Sequence, residues 1–182
     1  MIPSDWKKGI IPPIYKGKGS TKDCRNYRGI TLLSVPGKVF ATVLLNKVHD
    51  QLLAHRRMEQ SGFTPGRSTI EQIITMNTVI QSRKDFQRPF WIAFIDLKAA
   101  FNSIDNKALW KLLRSLGLHS KVVDLMEALY MDTCSCVCAD GVLSDWFTVG
   151  SGVRQGCRMA PDLFLGPMDH MMERTAHKEW RV

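Results

Sequence analysis

The apolar positions of this chain follow two periods, and each period predicts a kind of element. Val39, Phe40, Val43, Leu44, Val48 and Leu52 recur at helical spacing, so a helix is expected to open near Pro36 with Ser34 as its cap. Gly62, Pro65 and Gly66 then break the chain. Ser68-Thr69-Ile70-Glu71 has the form of a capping box, and the helix it starts carries Ile70, Ile73, Ile74 and Ile80 on or near one face. Asp105 or Asn106 caps a shorter helix that ends near Gly117. Ser120 caps another with Val122, Val123, Leu125, Met126 and Leu129, and Pro161 suits the first turn of a last one. A helix through Met168, Met171 and Met172 is plausible after it.

The remaining apolar positions read as strands. Residues 9–33 set short apolar pieces on either side of a Lys-Gly-Lys-Gly loop at 16–19, which predicts a two-stranded hairpin with a basic, flexible tip. Phe90 to Ile95 is an uninterrupted apolar run, as expected of a strand buried on both faces. Thr133 to Ala139 and Trp146 to Val149 are strand-like, with Asp140-Gly141 as a turn signal between them. The order is β-hairpin, two helices, strand, two helices, β-hairpin, helix. That is an α+β pattern, without internal repeat or low-complexity linker, and one domain is the simplest partition.

Charge adds a partner class. The net charge is +8, and residues 1–28 hold seven basic side chains against two acids, so +5 of it lies there. Such a balance suits a polyanionic partner and says nothing about fold; the plainer reading is a solvated basic arm. No apolar run reaches the roughly 20 residues that span a bilayer, and the start of the chain has no signal-peptide core, so an unsecreted, intracellular protein is expected, with the nucleus among its locations. Five cysteines, an odd number, fit a reducing setting. Cys134, Cys136 and Cys138 would share one strand face, but their spacing is not that of a zinc site, and small buried apolar residues are the better reading.

The candidate chemistry lies in a few short segments. Asp96 ends the apolar run, where a carboxylate can point into a cleft. Two-metal phosphoryl chemistry needs several hard oxygen ligands, and one Asp cannot hold two metals. Gly152-Val153-Arg154-Gln155-Gly156 has glycines that permit close backbone approach to a ligand, a Gln that both donates and accepts, and an Arg suited to a phosphate. Taken plainly, it is also a glycine turn leading into a helix. Lys16, Lys18 and Arg28 can grip a triphosphate, the Arg bidentately. Arg67, in a turn, can contact a phosphate backbone.

Taken together, Phe94-Ile95-Asp96-Leu97-Lys98-Ala99-Ala100-Phe101-Asn102-Ser103-Ile104 and Gly152-Val153-Arg154-Gln155-Gly156-Cys157-Arg158-Met159-Ala160-Pro161 resemble two motifs of a reverse transcriptase palm, of the kind carried by non-LTR (LINE-type) retrotransposons. Pro13 to Gly19 with Asn26 to Ile30, and Gln60 to Thr69, resemble the fingers segments of the same family, so the likeness runs from about Trp6 to about Leu165. It implies a right-hand polymerase, with residues 1–88 fingers-like and 89–182 a partial palm. It implies an RNA template, a DNA primer, deoxynucleoside triphosphates and Mg²⁺.

Residue by residue, the resemblance makes Asp96 the catalytic carboxylate that binds metal, and Phe101 the aromatic beneath the sugar of the incoming nucleotide. Gln155 lies near that sugar, Lys16, Lys18 and Arg28 hold the phosphates, and Arg67, Arg154 and Gly156 meet the template. The family's next motif, an aromatic-x-Asp-Asp hairpin, is expected beyond Val182, because no Asp-Asp pair occurs in these residues. The thumb and the rest of the palm are likewise expected outside them. The strand carrying Asp96 then lacks its sheet neighbours, and its apolar edge predicts poor solubility. Asn102 stands where the family usually has Asp, and Met159-Ala160 where it usually has Leu and Ser before the Pro. These departures keep an alternative open: a non-catalytic nucleic-acid-binding remnant of a decayed element.

Overall fold

The computed structural model describes residues 1–176, so His177 and the end of the expected tail lie outside the described residues. Strand β1 (Lys8–Ile11) follows a 3₁₀ turn at Ser4–Lys7, and β2 (Pro13–Tyr15) comes directly after it. The chain returns through β3 (Tyr27–Gly29) and β4 (Leu32–Leu33). Helices α1 (Val35–Ala54), α2 (Thr69–Asp85), α3 (Asn106–Ser115) and α4 (Ser120–Tyr130) come next. Strands β5 (Cys134–Ala139), β6 (Val142–Leu143) and β7 (Phe147–Thr148) precede α5 (Ala160–Ala176). Helices and strands mix as the sequence predicts.

Local chemistry accounts for most of the helix starts. The Ser34 hydroxyl accepts from the Gly37 N–H at 3.3 Å, with Pro36 in the first turn of α1. Ser68 accepts from the Ile70 N–H at 3.1 Å and starts α2. The Asp105 carboxylate accepts from the Ala108 N–H at 2.7 Å and starts α3. Ser120 is already helical: His119 flanks α4 and makes no side-chain cap bond, one residue earlier than expected. Asp140 and Gly141 both have positive φ, 51° and 79°, the two-residue turn whose twist matches a hairpin.

One core unites the chain. From α1 it takes Leu44, Leu45, Val48 and Leu52, from α3 Leu109, Trp110 and Leu113, and from α4 Val123, Met126 and Leu129. Met159 and Leu163 close it from the start of α5. The main sheet runs β4–β1–β5 and on to β6 and β7, which both pair with β5. Strand β1 lies parallel to β5, with Lys8 opposite Cys134 and Ile11 opposite Val137, and so ties the first residues to the second half of the chain. Cys136 is buried and Cys134 and Cys138 are half-buried, and all five cysteines are free thiols.

Two expectations fail together. Residues 90–95 form no strand, and Trp91, Phe94 and Ile95 are 92%, 80% and 84% exposed. A strand's N–H and C=O groups need a partner strand, and among the described residues the places beside β1 and β5 are taken by β4, β6 and β7. The apolar face of α2 is exposed as well: Ile70, Ile73, Ile74 and Val79 all reach solvent, and no residue of the helix is buried. Its start is held instead by Gln72, whose side-chain amide donates to the Ser61 hydroxyl at 2.8 Å.

Candidate functional site

The basic hairpin is longer than two short strands suggest. Gly9 opposite Leu33, Ile10 opposite Leu32, Pro13 opposite Gly29 and Ile14 opposite Arg28 all keep one register, so β1–β2 and β3–β4 are two arms with a gap in the ladder. Pro12 has no N–H to give at the gap. Thr31 turns its N–H away from the opposite arm and donates to the Gln155 carbonyl at 2.6 Å. The tip is tied by its own bonds. The Lys16 ammonium donates to the Arg25 carbonyl at 2.7 Å, the Asn26 amide to the Ser20 carbonyl at 2.8 Å, and the Tyr27 hydroxyl to the Thr21 carbonyl at 2.8 Å. The Arg25 guanidinium donates to both Asp23 carboxylate oxygens, at 2.9 to 3.1 Å, and this pairing holds the Asp23 carboxyl below its ordinary value.

The segment Gly152 to Cys157 threads between that hairpin and the turn at 99–104. The Gly152 N–H donates to the Ile104 carbonyl at 2.8 Å and the Val153 N–H to the Phe101 carbonyl at 2.7 Å. A Cβ on Gly152 would stand 2.6 Å from the Asn102 Cα, and one on Gly156 would stand 2.4 Å from the Thr31 oxygen. Both residues also have φ in the region that favours glycine, +82° and +116°. The close approach expected toward a ligand is here an approach to the protein's own backbone.

Arg154 corrects the sequence reading. It was expected to meet a template phosphate, yet it is 7% exposed. Its guanidinium lies 4.8 Å from the centre of the Tyr130 ring and donates to the Trp6 carbonyl at 3.3 Å. An aromatic face and a carbonyl satisfy a planar cation better than they would a lysine. Burial pushes the Tyr130 phenol well above its ordinary value; the neighbouring Cys157 adds to this and Arg154 opposes it.

Two clefts meet at Gln155. The first, of about 660 Å³, lies between the hairpin, the turn at 98–102 and the glycine loop. Lys16, Arg25, Arg28, Lys98 and Arg154 line it with Gln155, and none of its lining residues is acidic. The second, of about 610 Å³, is bounded by Phe63, Phe101, Gln155, Gly156, Lys38 and Arg158. In it the Phe101 ring stacks on Phe164 with centres 4.9 Å apart and meets Phe63 edge-on at 6.5 Å. The structure therefore gathers Lys16, Arg28, Arg154 and Gln155 in one cleft, and Phe101, Gln155 and Gly156 in the next.

Asp96, Lys18 and Arg67 line neither cleft. All three are exposed: Asp96 in the unpaired run, Lys18 at the hairpin tip and Arg67 in the turn before α2. Among the described residues no three His, Cys, Asp or Glu side chains converge as a metal would require. Asp96 alone does not fit a two-metal site, since its hard-oxygen partners are not among its neighbours. Also among the described residues, no helix is long and apolar enough to cross a membrane.

Sequence reasoning missed Lys98 and Arg25 in the first cleft, and Lys38, Phe63 and Arg158 in the second. Lys98, Phe63 and Arg158 lie inside the motif segments, which was the available signal. Lys38 is one polar position on α1, and nothing in its spacing marks it. Another omission is structural. The Arg56 side chain, almost wholly buried, donates to Asp162 at 3.0 Å and faces Asp169 at 3.8 Å, joining the end of α1 to α5.

Comparison with known proteins gives the family. The family described as "Reverse transcriptase (RNA-dependent DNA polymerase)" matches residues 14–180. The chain is 26% identical over 160 residues, 88% of its length, to a Pol polyprotein from the type-2 retrotransposable element R2DM of Drosophila melanogaster. It is 30% identical over 133 residues, 71% of its length, to a probable RNA-directed DNA polymerase from transposon BS of the same organism. A Xenopus laevis transposon TX1 protein is 22% identical over 163 residues, 90% of the chain. The chain spans 15%, 14% and 12% of the length of these relatives. The chain belongs to the reverse transcriptase family, and the relatives it matches are proteins of non-LTR retrotransposons.

Proposed function

We propose that this chain is the fingers and the first part of the palm of a right-hand RNA-directed DNA polymerase, which as a whole protein extends a DNA 3′-end on an RNA template. The single observation that carries this reading is the first cleft, where cations of the hairpin and of the turn at 98–102 converge with no carboxylate among the lining residues. A triphosphate is the dense anion such a cleft suits. In this reading Lys16 and Arg28 hold the phosphates, with Lys18 at the tip. Gln155 stands between the phosphate cleft and the sugar, Phe101 underlies the sugar, and Arg67 and Gly156 meet the template strand. Residues 1–88 act as fingers and 89–182 as palm. The two parts share one core and one sheet, so the division is one of function rather than of folding.

Enzymes of this family use divalent metal ions, and we assign Mg²⁺ to the whole protein. Asp96 needs other carboxylates to hold it, so this chain by itself is not expected to polymerise; primer extension by these residues with Mg²⁺ would overturn that expectation. For the cleft, the test is binding of an RNA–DNA hybrid across a salt titration. The parent should weaken steeply with salt, and the Lys16→Ala, Arg28→Ala double variant should lose roughly tenfold in affinity. Equal binding by parent and variant would remove the proposed fingers site. Asn102 and Ala160 favour the second reading, a binding remnant without catalysis. That reading predicts hybrid binding but no polymerisation by a longer protein carrying the family's Asp-Asp motif after these residues.

A further inference from the structure

We infer that Lys98 is a phosphate-binding residue of the first cleft, gripping a polyphosphate from a different wall than Lys16 and Arg28. The inference rests on the reading of that cleft as a triphosphate site and adds a residue to it. Lys16 and Arg28 come from the hairpin, whereas Lys98 comes from the turn that leads into the 3₁₀ helix Ala100–Ser103. An anion held by both walls is enclosed, while one held by the hairpin alone rests on a surface.

The turn that carries Lys98 is built. Ala99 has φ of +52°, in the left-handed region where a residue with a Cβ is strained. Its carbonyl accepts from the N–H groups of Asn102 at 2.8 Å and Ser103 at 3.1 Å. The Gly152 backbone packs directly beneath, where no larger residue fits. Strain of this kind persists when the surroundings fix it, and it concentrates at ligand clamps. Lys98 is exposed and, among the described residues, belongs to none of the ion pairs. Arg25, the other cation that the sequence did not flag, is already paired with Asp23 at 2.9 Å. Arg154 is spent on Tyr130 and Trp6. Lys98 is therefore the cation that can close on a ligand from outside the hairpin.

The experiment measures calorimetric affinity of the chain for inorganic tripolyphosphate, and in parallel for a short single-stranded oligonucleotide. It compares the parent with Lys98→Gln, Lys98→Arg, Arg28→Gln and, as a control on the outer face of α4, Lys121→Gln. Lys98→Gln should weaken tripolyphosphate binding roughly five- to tenfold, as Arg28→Gln does, while Lys98→Arg and Lys121→Gln stay within about twofold of the parent. If Lys98→Gln binds like the parent while Arg28→Gln does not, the inference falls and the cleft reading stands. If both bind like Lys121→Gln, both fall. Loss confined to the oligonucleotide would overturn the assignment to a polyphosphate. Lys98 is exposed, so folding of Lys98→Gln is expected and is checked by its thermal midpoint.

Discussion

Helix α1 buries Ala41, Leu44, Leu45, Val48 and Leu52, whereas α2, nearly as long and also started by a serine, buries nothing. The same contrast holds between extended segments. Lys8–Ile11 includes a lysine and a glycine and forms a strand paired on both sides, while the more apolar run at 90–95 pairs with nothing. Caps and periodicity decide that a segment can be helical or extended. What it buries depends on a partner element, and apolar content does not supply one. The chain thus divides into a packed part, which carries both clefts, and an apolar stretch over 69–97 that lies open to solvent.

The largest effect that sharpens this contrast is in the core. Leu113 of α3 is fully buried in the shared core, so Leu113→Ala should cost about 3 kcal/mol in urea unfolding. A cost below about 1 kcal/mol would mean that the helices are not packed as described.

Next comes the joint between hairpin and glycine loop. Gly156→Ala puts a Cβ 2.4 Å from the Thr31 oxygen, a backbone atom that cannot swing aside, and does so at a φ of +116°. The expected loss is about 2 kcal/mol or more. Tripolyphosphate affinity should fall with it, since Gln155 and Thr31 line the first cleft. If Gly156→Ala is as stable as the parent, the loop does not dock on Thr31.

A smaller effect tests the buried charges that join α1 to α5. Burial raises the Asp169 carboxyl above its ordinary value, and the Arg56 guanidinium pulls it the other way. A carboxyl raised on folding holds its proton more tightly in the folded state. It imposes no penalty below the ordinary carboxylate value and destabilises once the pH has passed the folded one. The stability gap between parent and Asp169→Asn should therefore move in favour of Asn as pH rises through the carboxylate range. A gap that stays flat would show that Arg56 balances burial, and one that moves the other way that it outweighs it.

How much of this was legible in the sequence follows from how local each feature is. The starts of α1, α2 and α3 were readable because a cap and its N–H lie within three residues. The Asp140-Gly141 turn was readable because positive φ is a residue preference. The parallel pairing of β1 with β5 was not, since Lys8 and Cys134 carry no mark of each other. The expectation of a buried strand at 90–95 erred for the same reason: its apolar run is real, but pairing is decided by segments elsewhere. In the clefts, Lys16, Arg28 and Gln155 came from motif order. Lys38 and the burial of Arg154 depend on which helices lie beside them, and spacing along the chain does not record that.

The smallest expected effect on stability lies on the open side. Ile73 and Ile74 are 53% and 59% exposed on a helix that buries nothing. Replacing both by Gln should change the unfolding free energy by no more than about 0.5 kcal/mol, because little apolar area is returned to water and Gln is a good helix former. Association should respond more. The exposed apolar side chains Ile70, Ile73, Ile74, Phe86, Trp91 and Ile95 invite self-contact. Ile73→Gln with Ile74→Gln should therefore raise the monomer fraction in light scattering while the melt stays in place. A loss of several kcal/mol would mean that α2 packs on the core after all, and the contrast with α1 would collapse. An unchanged monomer fraction together with an unchanged melt would place the sticky surface elsewhere, and the unpaired run at 90–95, with Trp91 and Ile95 most exposed, would be the next segment to alter.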